Sequence, residues 1–129
     1  MQDWKHLQER GRGGMAKKPH KYTRLLRFDS DTRKRIIARD HGICIFCAMG
    51  YPAEGDAGIY DIMHFIPKSA MGLGVERNGA LGCRYHHPQL DNGNKGMRAE
   101  MLEKFESYLR GIYPDWCRDE LVYSKFKQQ

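Results

Sequence analysis

The clearest periodicity in the chain begins at Met97, where Met97, Met101, Leu102, Phe105, Leu109 and Ile112 recur at spacings of three and four before Pro114. Apolar side chains at that interval share one face of a 3.6-residue helix, which predicts an amphipathic helix laid against a core. A second helix is predicted from Ser30 as N-cap, with Asp31 in its first turn, through Ile36, Ile37 and Ala38 to a stop at Gly42. Its exit delivers the chain to Cys44. An extended stretch around Ile59 to Ile66, closed by Pro67, predicts a first strand, and a short apolar segment around Ala80 to Cys83 predicts a second. The Gly-rich connection from Met71 to Gly74 allows the two to pair as a hairpin. Helical character resumes near Pro88, which a first turn tolerates, and Gly93 and Gly96 interrupt it. Beyond Pro114, the stretch from Trp116 to Phe126 is aromatic enough to pack on the domain.

These elements give a small α+β fold. At 129 residues the chain is the usual size of one domain. Residues 1–27 stand apart: they have no sustained apolar period, contain Gly11-Arg12-Gly13-Gly14 and Pro19, and read as a mobile basic arm ahead of a domain spanning 28–129. Charge sharpens that division. The arm holds eight Lys or Arg against two acidic residues, which equals the whole formal net charge of +6, so the rest of the chain is formally neutral. A basic balance favours a polyanionic partner, and the arm is either a phosphate-tracking element with salt-dependent binding or a solubilising end. No apolar run approaches the roughly 18 residues of a membrane span, and the first residues lack the apolar stretch of a secretory signal. A soluble, cytoplasmic protein without a membrane partner is expected.

The four cysteines carry the first chemistry. Cys44-x-x-Cys47 puts two thiolates on one tight turn, and Cys83-x-x-His86 offers a second pair from the end of the second strand. Two such pairs suit tetrahedral zinc, and with four ligands filled and none open the site is expected to be structural. The competing reading is two unrelated pairs of buried or redox-active cysteines. Cys117 is left over.

Taken together, Asp61-Ile62-Met63-His64-Phe65-Ile66-Pro67-Lys68-Ser69, then Asn78, then Cys83-Arg84-Tyr85-His86-His87 resembles the HNH endonuclease family, specifically its small phage-like members. The family pattern His-x-x-Pro-x-Ser, a Gly-rich loop and Asn-x-x-x-x-Cys-x-x-Cys-His is present throughout, except that His86 replaces the last cysteine and keeps a zinc ligand. The resemblance implies a ββα-metal (His-Me finger) core, a hairpin and helix wrapped round one divalent ion such as Mg²⁺, Mn²⁺ or Ni²⁺, acting on DNA. It makes His64 the general base, a role an imidazole with pKa near 6.5 can fill by taking a proton from water. Asn78 would cross-link the loop and hold His64, and His87 would be the leading ligand of the catalytic ion, with Asp91 four residues on. One departure stands out: the position before the base, often Asp or His in the family, is Met63, a poor ligand for a hard cation. Asp61, two residues earlier, is the candidate to replace it. Lys68, Arg77 and Arg84 are candidate phosphate contacts. A zinc-supported nucleic-acid-binding module without catalysis, and a subunit of a phage DNA-packaging machine working with a terminase-type partner, are the alternatives.

Overall fold

A computed structural model describes residues 21–54, 60–93 and 96–124 of this chain. At its centre are two five-residue strands, β1 (Tyr60–His64) and β2 (Gly79–Cys83), paired antiparallel with Ile62 opposite Leu81 and His64 opposite Gly79. Helices α1 (Lys21–Leu26), α2 (Ser30–Arg39) and α3 (Ile45–Ala48) precede the hairpin, and α4 (His86–Asn92) and α5 (Arg98–Ile112) follow it. The expected α+β class is what these residues form. Strand β1 is shorter than its apolar stretch, and Ile59 lies outside the described residues.

Every residue of β2 is buried, which its small side chains permit. A Cβ at Gly82 would overlap the Met63 side chain of β1, so glycine there is what lets Met63 reach the core with no exposure. On the other side of the hairpin, Ile62 and Leu81 pack with Ile36 of α2 and with Phe28. The larger core gathers Phe46 of α3, Phe65, Leu90 of α4, and the Met101, Phe105 and Leu109 face of α5. That face is the one the periodicity predicts. Phe105 meets Phe65 edge-on at 5.4 Å between ring centroids, and Phe65 meets Trp116 at 5.6 Å. The aromatic tail does pack: the Trp116 indole N–H donates to the Arg77 carbonyl at 2.7 Å, and Leu73 N–H donates to the Leu121 carbonyl at 2.7 Å. Phe126 lies outside the described residues.

Two boundaries differ from the sequence reading. Asp29, not Ser30, caps α2: its backbone is extended and its carboxylate accepts from Thr32 N–H at 2.8 Å, while Ser30 is already helical. At the other end the helix stops at Arg39, where Asp40 is the C-cap, His41 takes a left-handed backbone (φ 59°) and Gly42 N–H donates back to the Ile37 carbonyl at 2.9 Å. Asp40 accepts from Leu81 N–H at 2.8 Å and from the Tyr108 hydroxyl, and Arg39 donates to the Gly79 carbonyl at 2.7 Å.

The second correction concerns the basic arm. Residues 1–20 lie outside the described residues, but residues 21–26 are helical and Leu26 is buried. Leu25 accepts from Gly74 N–H at 2.8 Å. The arm's last turn therefore belongs to the domain, held by Leu26 and by a backbone hydrogen bond from Gly74, neither of which leaves an apolar period in the sequence. No helix among the described residues is long and apolar enough to cross a membrane.

Candidate metal centre and cleft

Cys44 caps α3, Cys47 lies on that helix, Cys83 ends β2, and His86 opens α4. Their four ligand atoms lie within 4.8 Å of one another. Cys47 Sγ is 3.8 Å from Cys83 Sγ, and His86 Nδ1 is 3.5, 3.6 and 3.3 Å from the sulfurs of Cys44, Cys47 and Cys83. Those spacings fit a tetrahedral metal centre. A tetrahedral ion with bonds of about 2.3 Å to sulfur and about 2.0 Å to nitrogen sets sulfurs about 3.8 Å apart and sulfur about 3.5 Å from nitrogen. A disulfide would bring two sulfurs to about 2.05 Å. The group could therefore hold one metal ion such as zinc, and the pairs are not independent.

The surroundings favour the same occupant. His86 Nε2–H donates to the Pro52 carbonyl at 2.9 Å, which leaves Nδ1 as the free lone pair toward the sulfurs. Backbone N–H groups of Cys47 and His86 point at the sulfurs of Cys44 and Cys83, at 3.5 and 3.4 Å. Burial pushes the Cys44 thiol up, and burial together with the adjacent Cys44 and Cys83 sulfurs pushes Cys47 up to about 12. Converging thiolates need a cation to offset that cost. Cys117 is exposed and outside the group.

Beside this centre is a cleft of about 760 Å³, with His64, Asp61, His87 and Asp91 in its wall. His64 ends β1, and its Nε2 is 2.7 Å from the Leu26 carbonyl. A carbonyl only accepts, so Nε2 carries the hydrogen and Nδ1 of the neutral ring is the basic nitrogen. Burial holds the His64 imidazole below its ordinary value, against the Leu26 acceptor, which favours the charged ring. Burial thus favours the neutral ring.

His87 follows His86 directly yet joins a different group, because neighbours on a helix point about 100° apart. Its Nε2 is 3.0 Å from Asp91 on the next turn of α4, and its Nδ1 is 3.3 Å from Asp61 of β1. Burial works against protonation of His87, but the two carboxylates outweigh it and the net shift is upward. Asp61, expected to share an ion with His87 and Asp91, meets the opposite edge of the ring. The three donors do not converge on one point, and among the described residues the only group of three or more side chains suited to an ion is the Cys3His centre. The Nε2 to Asp91 spacing of 3.0 Å is that of a hydrogen bond between the ring and the carboxylate.

Asn78 is fully buried. Its Oδ1 accepts from Ile66 N–H at 2.8 Å, and its Nδ2 donates to the carbonyls of Ile66 and Leu73 at 3.1 and 2.8 Å. The side chain thus ties the loop after His64 to the start of β2. Of the candidate phosphate contacts, Lys68 lines the cleft, whereas Arg77 and Arg84 do not. Arg77 is drawn away by Asp115 at 2.9 Å and by the Tyr113 ring at 4.8 Å. Sequence reasoning missed Arg27, Phe28, Arg33 and Arg98, which also line the cleft. Arg27 was visible only as one basic residue among many in the arm, and the Leu26 carbonyl has no side-chain signature at all. Compared with protein-family models, with curated proteins and with solved structures, the chain matches none.

Proposed function

We propose that this chain is a divalent-metal-dependent HNH-type endonuclease that hydrolyses DNA phosphodiester bonds, with a structural zinc held by Cys44, Cys47, Cys83 and His86. The observation that carries the reading is His64: a half-buried imidazole with its hydrogen committed to the Leu26 carbonyl, in a cleft also lined by Arg27, Arg33, Lys68 and Arg98. Four cations against Asp61 and Asp91 suit a phosphate backbone. The order β1, β2, α4, with the zinc group at the far end of β2, supports a ββα-metal core.

In this reading His64 takes the proton from the attacking water at Nδ1, and the Leu26 carbonyl keeps that nitrogen unprotonated by holding the hydrogen on the other. Asn78 fixes the loop that leaves His64. His87 and Asp91 would hold the catalytic ion, Mg²⁺, Mn²⁺ or Ni²⁺, which when bound offsets charge developing on the phosphate and its leaving oxygen. Asp61 then acts from behind, accepting from His87 Nδ1–H and turning Nε2 toward Asp91. Arg27, Arg33 and Lys68 grip phosphates on either side.

One observation favours a second reading, a zinc-supported nucleic-acid-binding module that does not cut. Met63 occupies a position the family often gives to a metal ligand, and it is buried in the core. Digestion of supercoiled plasmid with Mg²⁺, Mn²⁺ or Ni²⁺ against an EDTA control, for wild type and His64→Ala, separates the two. Metal-dependent nicking that His64→Ala abolishes supports the nuclease, and DNA binding without nicking supports the module.

A further inference from the structure

His64 faces Gly79 across the hairpin. A Cβ at Gly79 would meet Phe28 Cζ at 2.6 Å and Cε1 at 2.7 Å, so the space a side chain would take there is filled by the Phe28 ring. That ring also lies against the His64 imidazole, with centroids 4.3 Å apart and planes inclined at 41°. Phe28 is itself held. It is 7% exposed and packs with Ile36, Ile62 and Leu81, so it cannot swing aside without leaving the core. Two residues earlier the same segment supplies the Leu26 carbonyl to Nε2. Gly74 pins the segment from behind, donating to the Leu25 carbonyl at 2.8 Å, and a Cβ at Gly74 would overlap the Arg27 carbonyl.

A histidine side chain has two soft torsions, and a hydrogen bond at one nitrogen leaves the ring free to rock about it. We propose that Phe28 is the positioning residue for His64: wedged between the imidazole and the Gly79 backbone, its ring fixes the imidazole plane and thereby keeps Nε2 aimed at the Leu26 carbonyl, the hydrogen bond that selects the tautomer. The role rests on reading His64 as the base, and it makes residues 26–28 part of the site although they lie outside the hairpin and its following helix. Side chains of Lys68, His87, Asp91, Arg27 and Arg33 share the cleft with His64, but none of them is in the stack. A core residue with no positioning role would lower stability on truncation and leave the ring of His64 as it was.

The test uses the full-length, zinc-loaded protein as wild type, Phe28→Ala and Phe28→Leu, with His64→Ala for assignment. Nitrogen-15 spectra of the His64 ring report the tautomer, and plasmid nicking with Mn²⁺ reports kcat and KM. Wild type is expected to hold the Nε2–H form, and Phe28→Ala to mix tautomers and lose kcat on the order of a hundredfold, the usual cost of a misplaced catalytic group, with KM little changed. Phe28→Leu, which refills the apolar volume without a flat ring, is expected to fall between them. If Phe28→Ala does not fold, Phe28→Leu decides. A single unchanged tautomer with wild-type kcat in the folded variants overturns the proposal. Should the wild type fail to nick, the nuclease reading fails, and the ring spectra still decide whether Phe28 positions His64.

Discussion

Asn78→Ala offers a quantitative test of how the loop after His64 is held. The side chain satisfies one buried N–H, of Ile66, and two carbonyls, of Ile66 and Leu73, from a position with no exposure. Truncation leaves those groups without partners. An orphaned buried polar group costs about 1–3 kcal/mol, so three give roughly 3–9 kcal/mol, a large share of the roughly 5–15 kcal/mol that stabilises a domain. Asn78→Asp makes the argument sharper. It keeps the volume and the bond to Ile66 N–H, but turns a second oxygen toward two carbonyl oxygens, so near neutral pH it is expected to be no more stable than alanine. Facing those oxygens raises the folded pKa of the new carboxyl above its unfolded value of about 3.9. Its stability is then fully present below the unfolded value and is lost as pH rises through the folded one, so the aspartate variant gains on alanine as pH falls. Urea unfolding of zinc-loaded protein between pH 5.5 and 7.5, followed by circular dichroism, measures both effects. Asn78→Ala within about 1 kcal/mol of wild type, or Asn78→Asp as stable as wild type at pH 7.5, would refute the cross-link.

The adjacent histidines should part company. His86→Ala is expected to lower zinc content and melting temperature together, while His87→Ala keeps the zinc and loses divalent-metal-dependent nicking; equal zinc loss by elemental analysis would end the division. His64→Ala should keep fold and zinc and cut nicking by at least roughly a hundredfold. Because burial holds His64 below its ordinary value of 6.5, the proposed base is neutral above that pH, and wild-type rates are expected to be flat there and to fall only below it. A rate still rising well above pH 6.5 would point to a different base. Deleting residues 1–20 should flatten the salt dependence of DNA binding yet preserve nicking at low salt, whereas deleting 1–27 removes the Leu26 carbonyl and should abolish nicking. Equal behaviour of the two truncations, read by filter binding and plasmid digestion, contradicts the role given to Leu26.

The hairpin, the helices after it and the Cys3His group were legible because each writes itself in side chains at fixed intervals. The period from Met97 to Ile112 marks the face of α5 that is buried, and two pairs three residues apart mark the four ligand atoms that meet. What stayed hidden is what backbone atoms do. The carbonyl that orients His64 and the one that orients His86 belong to Leu26 and Pro52, where any residue but its neighbours' geometry would serve. The cap of α2 was misplaced by one residue because Asp29 and Ser30 are both good caps, and only the extended backbone of Asp29 decides between them. Asp61 was expected as a ligand beside His87 and instead meets the far edge of its ring, because which edge of an imidazole a carboxylate meets depends on ring orientation, which spacing does not encode.

A two-stranded sheet has two open edges, each a row of unpaired backbone groups that another chain could extend. On β2 two groups of that row are taken by side chains: the Leu81 N–H by Asp40 and the Gly79 carbonyl by Arg39. The consecutive pair presents an acceptor and a donor much as a passing peptide would, and Arg39 grips Asp40 through both carboxylate oxygens, at 2.8 and 3.0 Å. The sheet is thereby terminated by two residues at the end of α2 that belong to no strand. Strand addition by a second molecule at this edge, a common route to aggregation, first requires Arg39 and Asp40 to let go, so the end of α2 guards solubility as well as register.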